Sequence, residues 1–218
     1  HNCACYPEAK LFGFNALAAS IPSQAIGIID EDARLVKGPA YGQATDAGGN
    51  GDADWPTYRQ NNRRSGASST VIRGELAPAW STHLGGRLSA VTEAENKIYV
   101  SRIDAHEVVA LHAVTGKVVW RFATGGRVDS PPSIRDGRAY FGCADGWVYC
   151  VRVSDGALAW RFRAAPEDRR LMAYEQLESV WPVHGSVLIQ DDVVYFVAGR
   201  SNFLDGGMRW FALDAMTG

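Results

Sequence analysis

The hydrophobic pattern along most of the chain is that of short strands. Runs such as KIYVS (97–101), AYFG (139–142) and VVYFVA (193–198) are rich in β-branched and aromatic residues and lack the three-and-four spacing of an amphipathic helix. Bounded by glycine and aspartate turns, the pattern predicts strands at 87–92, 97–101, 107–113 and 117–122, then at 128–134, 138–142, 147–153 and 157–162. A third group follows at 184–189, 193–198 and 208–214. Tight turns are expected at Thr115-Gly116, Asp136-Gly137, Asp155-Gly156 and Asp191-Asp192. Where glycine is present it takes a positive φ without a Cβ clash.

These groups repeat. Trp80, Trp120 and Trp160 stand forty residues apart, and the segments they open, WSTHLGGRLSA, WRFATGGRVDS and WRFRAAPEDRR, share a local pattern. The first two agree through the pairs Gly85-Gly86 and Gly125-Gly126. A period of about forty residues with four strands per unit predicts β-propeller blades, with a stacked solenoid as the lesser alternative. The expected fold is all-β: blades of four antiparallel strands in an incomplete ring, about three blades plus part of a preceding one.

The chain divides accordingly. Residues 1–19, through FNALAA at 14–19, read as the end of a preceding blade. Residues 20–54, rich in Gly, Ala and Asp, read as a linker or long surface loop. Residues 55–218 hold the blades, at 85–122, 123–162 and 163–218, the last without its fourth strand. Because propellers close with about four to eight blades, the chain is expected to be a fragment of a longer polypeptide or to take its remaining blades from a partner subunit.

The segment ALHAVTGKVVW (110–120) resembles the AxDxxTGxxxW tryptophan-docking repeat of the quinoprotein-like β-propellers, and ALDAMTG (212–218) matches its first half with Asp214 in the aspartate position. His112 and Arg152 replace that aspartate in the other two units, and Cys150 replaces the first alanine. The resemblance implies that Trp80, Trp120 and Trp160 pack across to the neighbouring blade over turns permitted by Gly116, Gly156 and Gly218. HNCACYPEAKLFGFNALAA, DWPTYRQNNRRSG and residues 178–207 also resemble large bacterial exported proteins with this repeat. A periplasmic or extracellular setting is therefore implied. Enzymes of the family use pyrroloquinoline quinone (PQQ) above Ca²⁺, with a carboxylate base and a vicinal Cys-Cys disulfide; neither motif occurs in this chain.

Composition narrows the function classes. A net charge of −2 and a pI near 6.2 give no basic footprint for nucleic acid, so Arg63-Arg64 reads as a solvated loop. No apolar run approaches the roughly 18 residues of a membrane-spanning helix. The glycine-rich stretch lacks a GxxxxGK[ST] phosphate loop. His1, His83, His106, His112 and His184 show no metal-site spacing, and there is no CxxCH haem motif. Cys3 and Cys5 favour disulfides to cysteines elsewhere over a metal; Cys143 and Cys150 are either a bridge or two buried thiols.

Strand alternation puts the turns between first and second and between third and fourth strands on one face of the disk, and the other connections on the opposite face. Both long connections, 163–183 and 199–207, fall on that second face. The first is expected to hold a short helix starting near Pro166. Candidate contact residues are Arg169, Arg170, Tyr174, Glu175, Glu178, Trp181, Arg200, Asn202 and Asp205. The alternative reading makes them solvated loop charges with Trp181 packed as a lid. The function expected is a binding or scaffold propeller presenting these loops to a protein or small ligand. A PQQ- and Ca²⁺-dependent oxidoreductase, with its active site mostly outside these residues, is the second reading.

Overall fold

The computed structural model describes residues 30–45, 51, 53–72 and 74–218. The expected end of a preceding blade, with Cys3 and Cys5, lies outside the described residues. The strands among them are β1 (Leu35–Lys37), β2 (Leu88–Ala94), β3 (Lys97–Arg102), β4 (Glu107–His112), β5 (Val118–Ala123), β6 (Ser133–Arg135), β7 (Arg138–Gly142), β8 (Trp147–Arg152), β9 (Leu158–Arg163), β10 (Arg170–Ala173), β11 (Gln176–Ser179), β12 (Leu188–Gln190), β13 (Val193–Ala198) and β14 (Arg209–Asp214). Among the described residues, helix is confined to two 3-10 turns, Glu31–Ala33 and Ile103–Ala105.

Three meandering antiparallel sheets carry the repeat: β2-β3-β4-β5, β6-β7-β8-β9 and β12-β13-β14. They stack face to face, so the middle sheet is buried on both sides and its strands read as continuous apolar runs. Period-two alternation decides which neighbour each side chain meets. Tyr140 and Cys150 pack with Val194 and Phe196 toward the third sheet. Ala139, Phe141, Tyr149 and Val151 pack with Tyr99, Val108 and Trp120 toward the first. Cys143 and Cys150 are free, buried thiols in these two different clusters. Burial pushes the Cys150 thiol up to about 12.

Each sheet closes with the same two turns. Glu95-Asn96, Asp136-Gly137 and Asp191-Asp192 all have positive φ at both positions, the type I′ geometry that matches the twist of a hairpin. The turn between the third and fourth strands is also repeated: Gly116, Gly156 and Gly218 each donate N–H to the carbonyl four residues back, at 2.9 Å in every case. Ala113, Val153 and Ala215 tie this turn to the first one by donating to Asn96, Gly137 and Asp192. Asp214 organises its turn by accepting from the Met216 and Thr217 amides and the Thr217 hydroxyl. Those hydrogen bonds hold its carboxyl below the ordinary aspartate value. The replacements find substitutes: His112 Nδ1 accepts from the Val114 amide, while Arg152 pairs with Asp155, which caps the Ala157 amide.

The same carbonyls that follow these motif positions receive an indole from the preceding repeat. Trp80 Nε1 donates to Ala113 O at 2.8 Å, Trp120 to Val153 O at 2.8 Å, and Trp160 to Ala215 O at 3.1 Å. Each ring lies against the turn glycine; a Cβ on Gly156 would stand 2.8 Å from Trp120 Cδ2. The first two indoles bridge 33 residues and the third 55, because a long connection intervenes.

That connection departs from expectation. Instead of a short helix near Pro166, it forms the β10–β11 hairpin, with Leu171 opposite Glu178 and Ala173 opposite Gln176. Alternation explains it: Leu171, Ala173 and Glu178 share the inward face, a two-residue period that a helix would scatter.

Two further segments brace the sheets. Residues 55–62 run across the inner strands in turn: Trp55 pairs with Glu93 of β2, Pro56 O accepts from Ile134 of β6, and Asn62 donates to Ile189 O of β12. Within the stretch expected as a linker, β1 pairs antiparallel with β9, Leu35 opposite Phe162, and adds a fifth strand to the middle sheet. It covers an edge that would otherwise expose unpaired backbone groups.

The indole contacts separate into two parts by substitution. Trp160→Ala is expected to destabilise the protein by about 3–5 kcal/mol, mostly through the lost ring. Trp160→Phe keeps an aromatic ring and loses the bond to Ala215 O, costing about 1–2 kcal/mol. Urea unfolding of the two variants checks this; equal losses would show that ring burial is not the larger contribution.

Candidate functional site

The connections opposite the tight turns fold onto one another. Hairpin β10–β11 leaves the middle sheet through Ala164 and Ala165, whose amides donate to Gly146 O, and is anchored at its base by Ser179 N–H to Ala144 O. Its tip reaches the first sheet: Gln176 bonds His106 at 2.6 Å and Asp104 at 3.2 Å. The 199–207 loop is held by Gly199 N–H to Pro182 O and by Trp181 Nε1 to Asp205 O at 2.8 Å.

Glu178 is the electrostatic centre of this face. Its side chain is fully buried, Arg200 Nη2 donates to Oε2 at 2.7 Å, and Arg127 Nη2 stands 2.5 Å from Oε1. A buried carboxylate is tolerated only with close counter-charges, and both guanidinium groups are themselves nearly fully buried. Arg127 comes from the connection between β5 and β6, Arg200 from the loop after β13, so one carboxylate ties the hairpin to two other parts of the fold.

Beside this triad lies a cavity of about 510 Å³, lined by Arg87, Arg127, Asp129, Tyr174, His184 and Arg200 with Gly199 and Met208. The Arg127 guanidinium stacks 4.3 Å from the Tyr174 ring centroid. His184 Nδ1 meets Asp129 Oδ2 at 2.9 Å. Burial pushes the Asp129 carboxyl up, but the His184 hydrogen bond and the charges of Arg127, His184 and Arg87 outweigh it and hold it below the ordinary aspartate value. An ionised carboxylate only accepts, so His184 carries its proton on Nδ1 and its Nε2 is free of this bond.

The nine residues singled out from sequence separate into three groups. Glu178, Trp181 and Arg200 lie inside, as parts of the scaffold. Arg169 stacks over the Trp181 ring at 4.8 Å and pairs with Asp205 at 2.6 Å, clamping the two long loops together. Arg170, Tyr174, Glu175 and Asn202 face outward. Sequence reading passed over Arg87, Arg127, Asp129 and His184. The signal was present for two of them: Arg87 and Arg127 each follow a glycine pair at the same position of the repeat.

A family model described as outer membrane protein assembly factor BamB, a PQQ-type repeat family, matches residues 74–218. The chain belongs to this family of PQQ-like β-propellers. Its fold is that of the quinohemoprotein alcohol dehydrogenase ADHIIG from Pseudomonas putida HK5, at 19% identity and a TM-score of 0.63 over 77% of this chain and 26% of that one. The quinohemoprotein alcohol dehydrogenase from Comamonas testosteroni gives 20% identity and a TM-score of 0.58, over 76% of this chain and 26% of that one. A europium-containing methanol dehydrogenase gives 17% and 0.59, over 77% and 31%. At these identities the likeness concerns the fold alone, and the chain spans between a quarter and a third of their length. No curated protein matches the chain.

The described residues around this cavity do not fit a Ca²⁺-bound quinone. Ca²⁺ takes about six to eight oxygen ligands. At the cavity the two carboxylates are already committed, Asp129 to His184 and Arg127, and Glu178 to Arg127 and Arg200. Three guanidinium groups oppose a divalent cation there. Among the described residues no group of three or more His, Cys, Asp or Glu side chains is placed to hold a metal ion.

The depressed Asp129 carboxyl has a pH consequence. A group with a lowered folded-state pKa stabilises the fold above its unfolded value, about 3.9, and that contribution disappears as pH falls through the folded value. Wild-type protein is therefore expected to lose stability below about pH 4 more steeply than the Asp129→Asn variant, measured by urea unfolding from pH 6 downward. Parallel acid limbs would remove Asp129 from the account.

Proposed function

We propose that this chain is the ligand-presenting arc of an exported, PQQ-like binding propeller, and that its working surface is the face built by hairpin β10–β11 and the 199–207 loop. The family's description as an outer membrane assembly factor supports the extracytoplasmic setting. The observation that carries the binding role is the tip of the hairpin. Tyr174 and Glu175 both have positive φ, at 51° and 63°, like the tight turns of the repeat. Those turns hold Asn, Asp or Gly in at least one position, residues suited to that conformation. A tyrosine in the left-handed region is strained, and strain of this kind persists where a side chain is needed in place.

The surroundings agree. Tyr174 is half-exposed over Arg127, Leu177 is exposed beside it, and Phe203 on the facing loop is 90% exposed. Loops elaborated at one end of a rigid scaffold are where recognition residues gather. The sheets supply rigidity and the hairpin supplies contacts.

Replacing Tyr174-Glu175 by Asn-Gly tests this reading without breaking the turn. The double variant Y174N/E175G is expected to gain stability, by about 0.5–1 kcal/mol, and to lose binding. Full-length wild-type and variant protein are purified from the native host under gentle conditions, and co-purifying ligands and partners are identified by mass spectrometry. A species retained by wild type and missing from the variant is the expected result. Identical retention, or a variant less stable than wild type, overturns the reading.

A further inference from the structure

We propose that the cavity formed by the connections on this face is a metal-free site for a small ligand bearing an oxyanion, a carboxylate or phosphate group. The proposal rests on the binding face described above and names the chemistry that one part of it recognises.

The lining is the first observation. Arg87, Arg127 and Arg200 face the cavity against a single lining carboxylate, Asp129. Glu178 lies behind them, fully buried, where it fixes Arg127 and Arg200. It therefore orients two guanidinium forks without occupying the cavity itself. Pre-oriented planar forks suit the paired oxygens of a carboxylate or phosphate.

The second observation is unmet hydrogen-bonding capacity. Arg127 Nε and Arg200 Nε and Nη1 are buried without a hydrogen-bond partner in the protein. Buried Nε groups without a hydrogen-bond partner recur at Arg34, Arg102, Arg138, Arg161 and Arg163, but Arg200 stands apart in leaving two donors unmet beside the cavity that it lines. Arg87 differs: it is half-exposed at the rim, with one Nη on Asp104 at 2.9 Å. It can swing to a ligand at small cost, since exposed ion pairs contribute roughly 0–1 kcal/mol.

The third observation lies in the repeat. Arg87 and Arg127 occupy the same position, after Gly85-Gly86 and Gly125-Gly126, so two successive units deliver a guanidinium to one cavity. Asp129 and Tyr174 define how much of that charge a ligand meets: Asp129 holds His184 in place, and Tyr174 covers one face of Arg127. A volume of about 510 Å³ accommodates a small organic anion rather than a polymer.

Calorimetric titration of inorganic phosphate and of succinate into the full-length protein is the test, with CaCl₂ alone as a third titrant. At least one anion is expected to bind, with affinity that falls as NaCl rises, and the tighter of the two identifies the group preferred. Arg87→Gln, at the exposed rim, should weaken that binding roughly tenfold with an unchanged melting temperature. Arg121→Gln, a guanidinium on β5 paired with Glu107 outside the cavity, should leave it unchanged. Absence of binding by both anions, equal weakening in the two variants, or Ca²⁺ binding that Arg87→Gln strengthens would each overturn the proposal. The hairpin reading fails on a different measurement: Y174N/E175G and wild type retaining the same partners would sink that reading even with phosphate bound.

Discussion

The arrangement of the three sheets depends on an indole laid over the next repeat's turn. Each tryptophan makes one hydrogen bond, to a carbonyl whose own amide is already tied to the opposite turn of the same sheet. The ring then fills the space that a side chain at the glycine would take. Sequence separation from indole to acceptor is 33 residues twice, so the contact fixes not only which sheets are neighbours but how each is rotated against the last. Blade faces then close over Tyr99, Phe141, Tyr149 and Phe196, which contribute about 1.5–3 kcal/mol each when fully buried.

Because that contact uses one face's turns, the opposite face is released from structural duty. The turns between third and fourth strands keep one backbone geometry even where the motif aspartate is replaced, since His112 and the Arg152–Asp155 pair supply alternative partners. The other connections vary freely, and the 22 residues by which the third indole contact exceeds the first two (55 less 33) are accommodated there. Only an insertion on that side leaves the indole geometry intact. The hairpin is thus permitted by the repeat, and its strained tip is not a requirement of the fold.

Much of the architecture was legible because it is periodic. The strands at 97–102, 107–112, 138–142 and 193–198 fall within a residue or so of expectation, as their apolar runs are bounded by turn residues on both sides. Two inner strands were read too long: 184–189 became Leu188–Gln190, and 128–134 became Ser133–Arg135, because Val128 to Pro132 cross between sheets with Pro131 and Pro132 lacking amide donors. The hairpin at 170–179 was missed because Tyr174-Glu175 carries no turn signature, and acidic residues after Pro166 imitate a helix start. Strand β1 was invisible for a different reason. Three residues cannot show a period, and its pairing with β9 is set by a partner more than a hundred positions away.

The site was less legible than the fold, for an electrostatic reason. Charged residues in loops ordinarily read as solvated, and Glu178 and Arg200 gave no local sign that they would meet inside the protein. Burial reverses the meaning of such residues. In solution each would be a surface charge contributing little; enclosed with Arg127 they are mutually required, since removing one leaves an uncompensated buried ion at a cost of about 3–5 kcal/mol. The triad therefore does two things with one set of contacts. It fastens the hairpin to the second and third repeats, and it holds two guanidinium groups rigid at the edge of a cavity, a position that freely moving arginines would keep only at an entropic cost on binding.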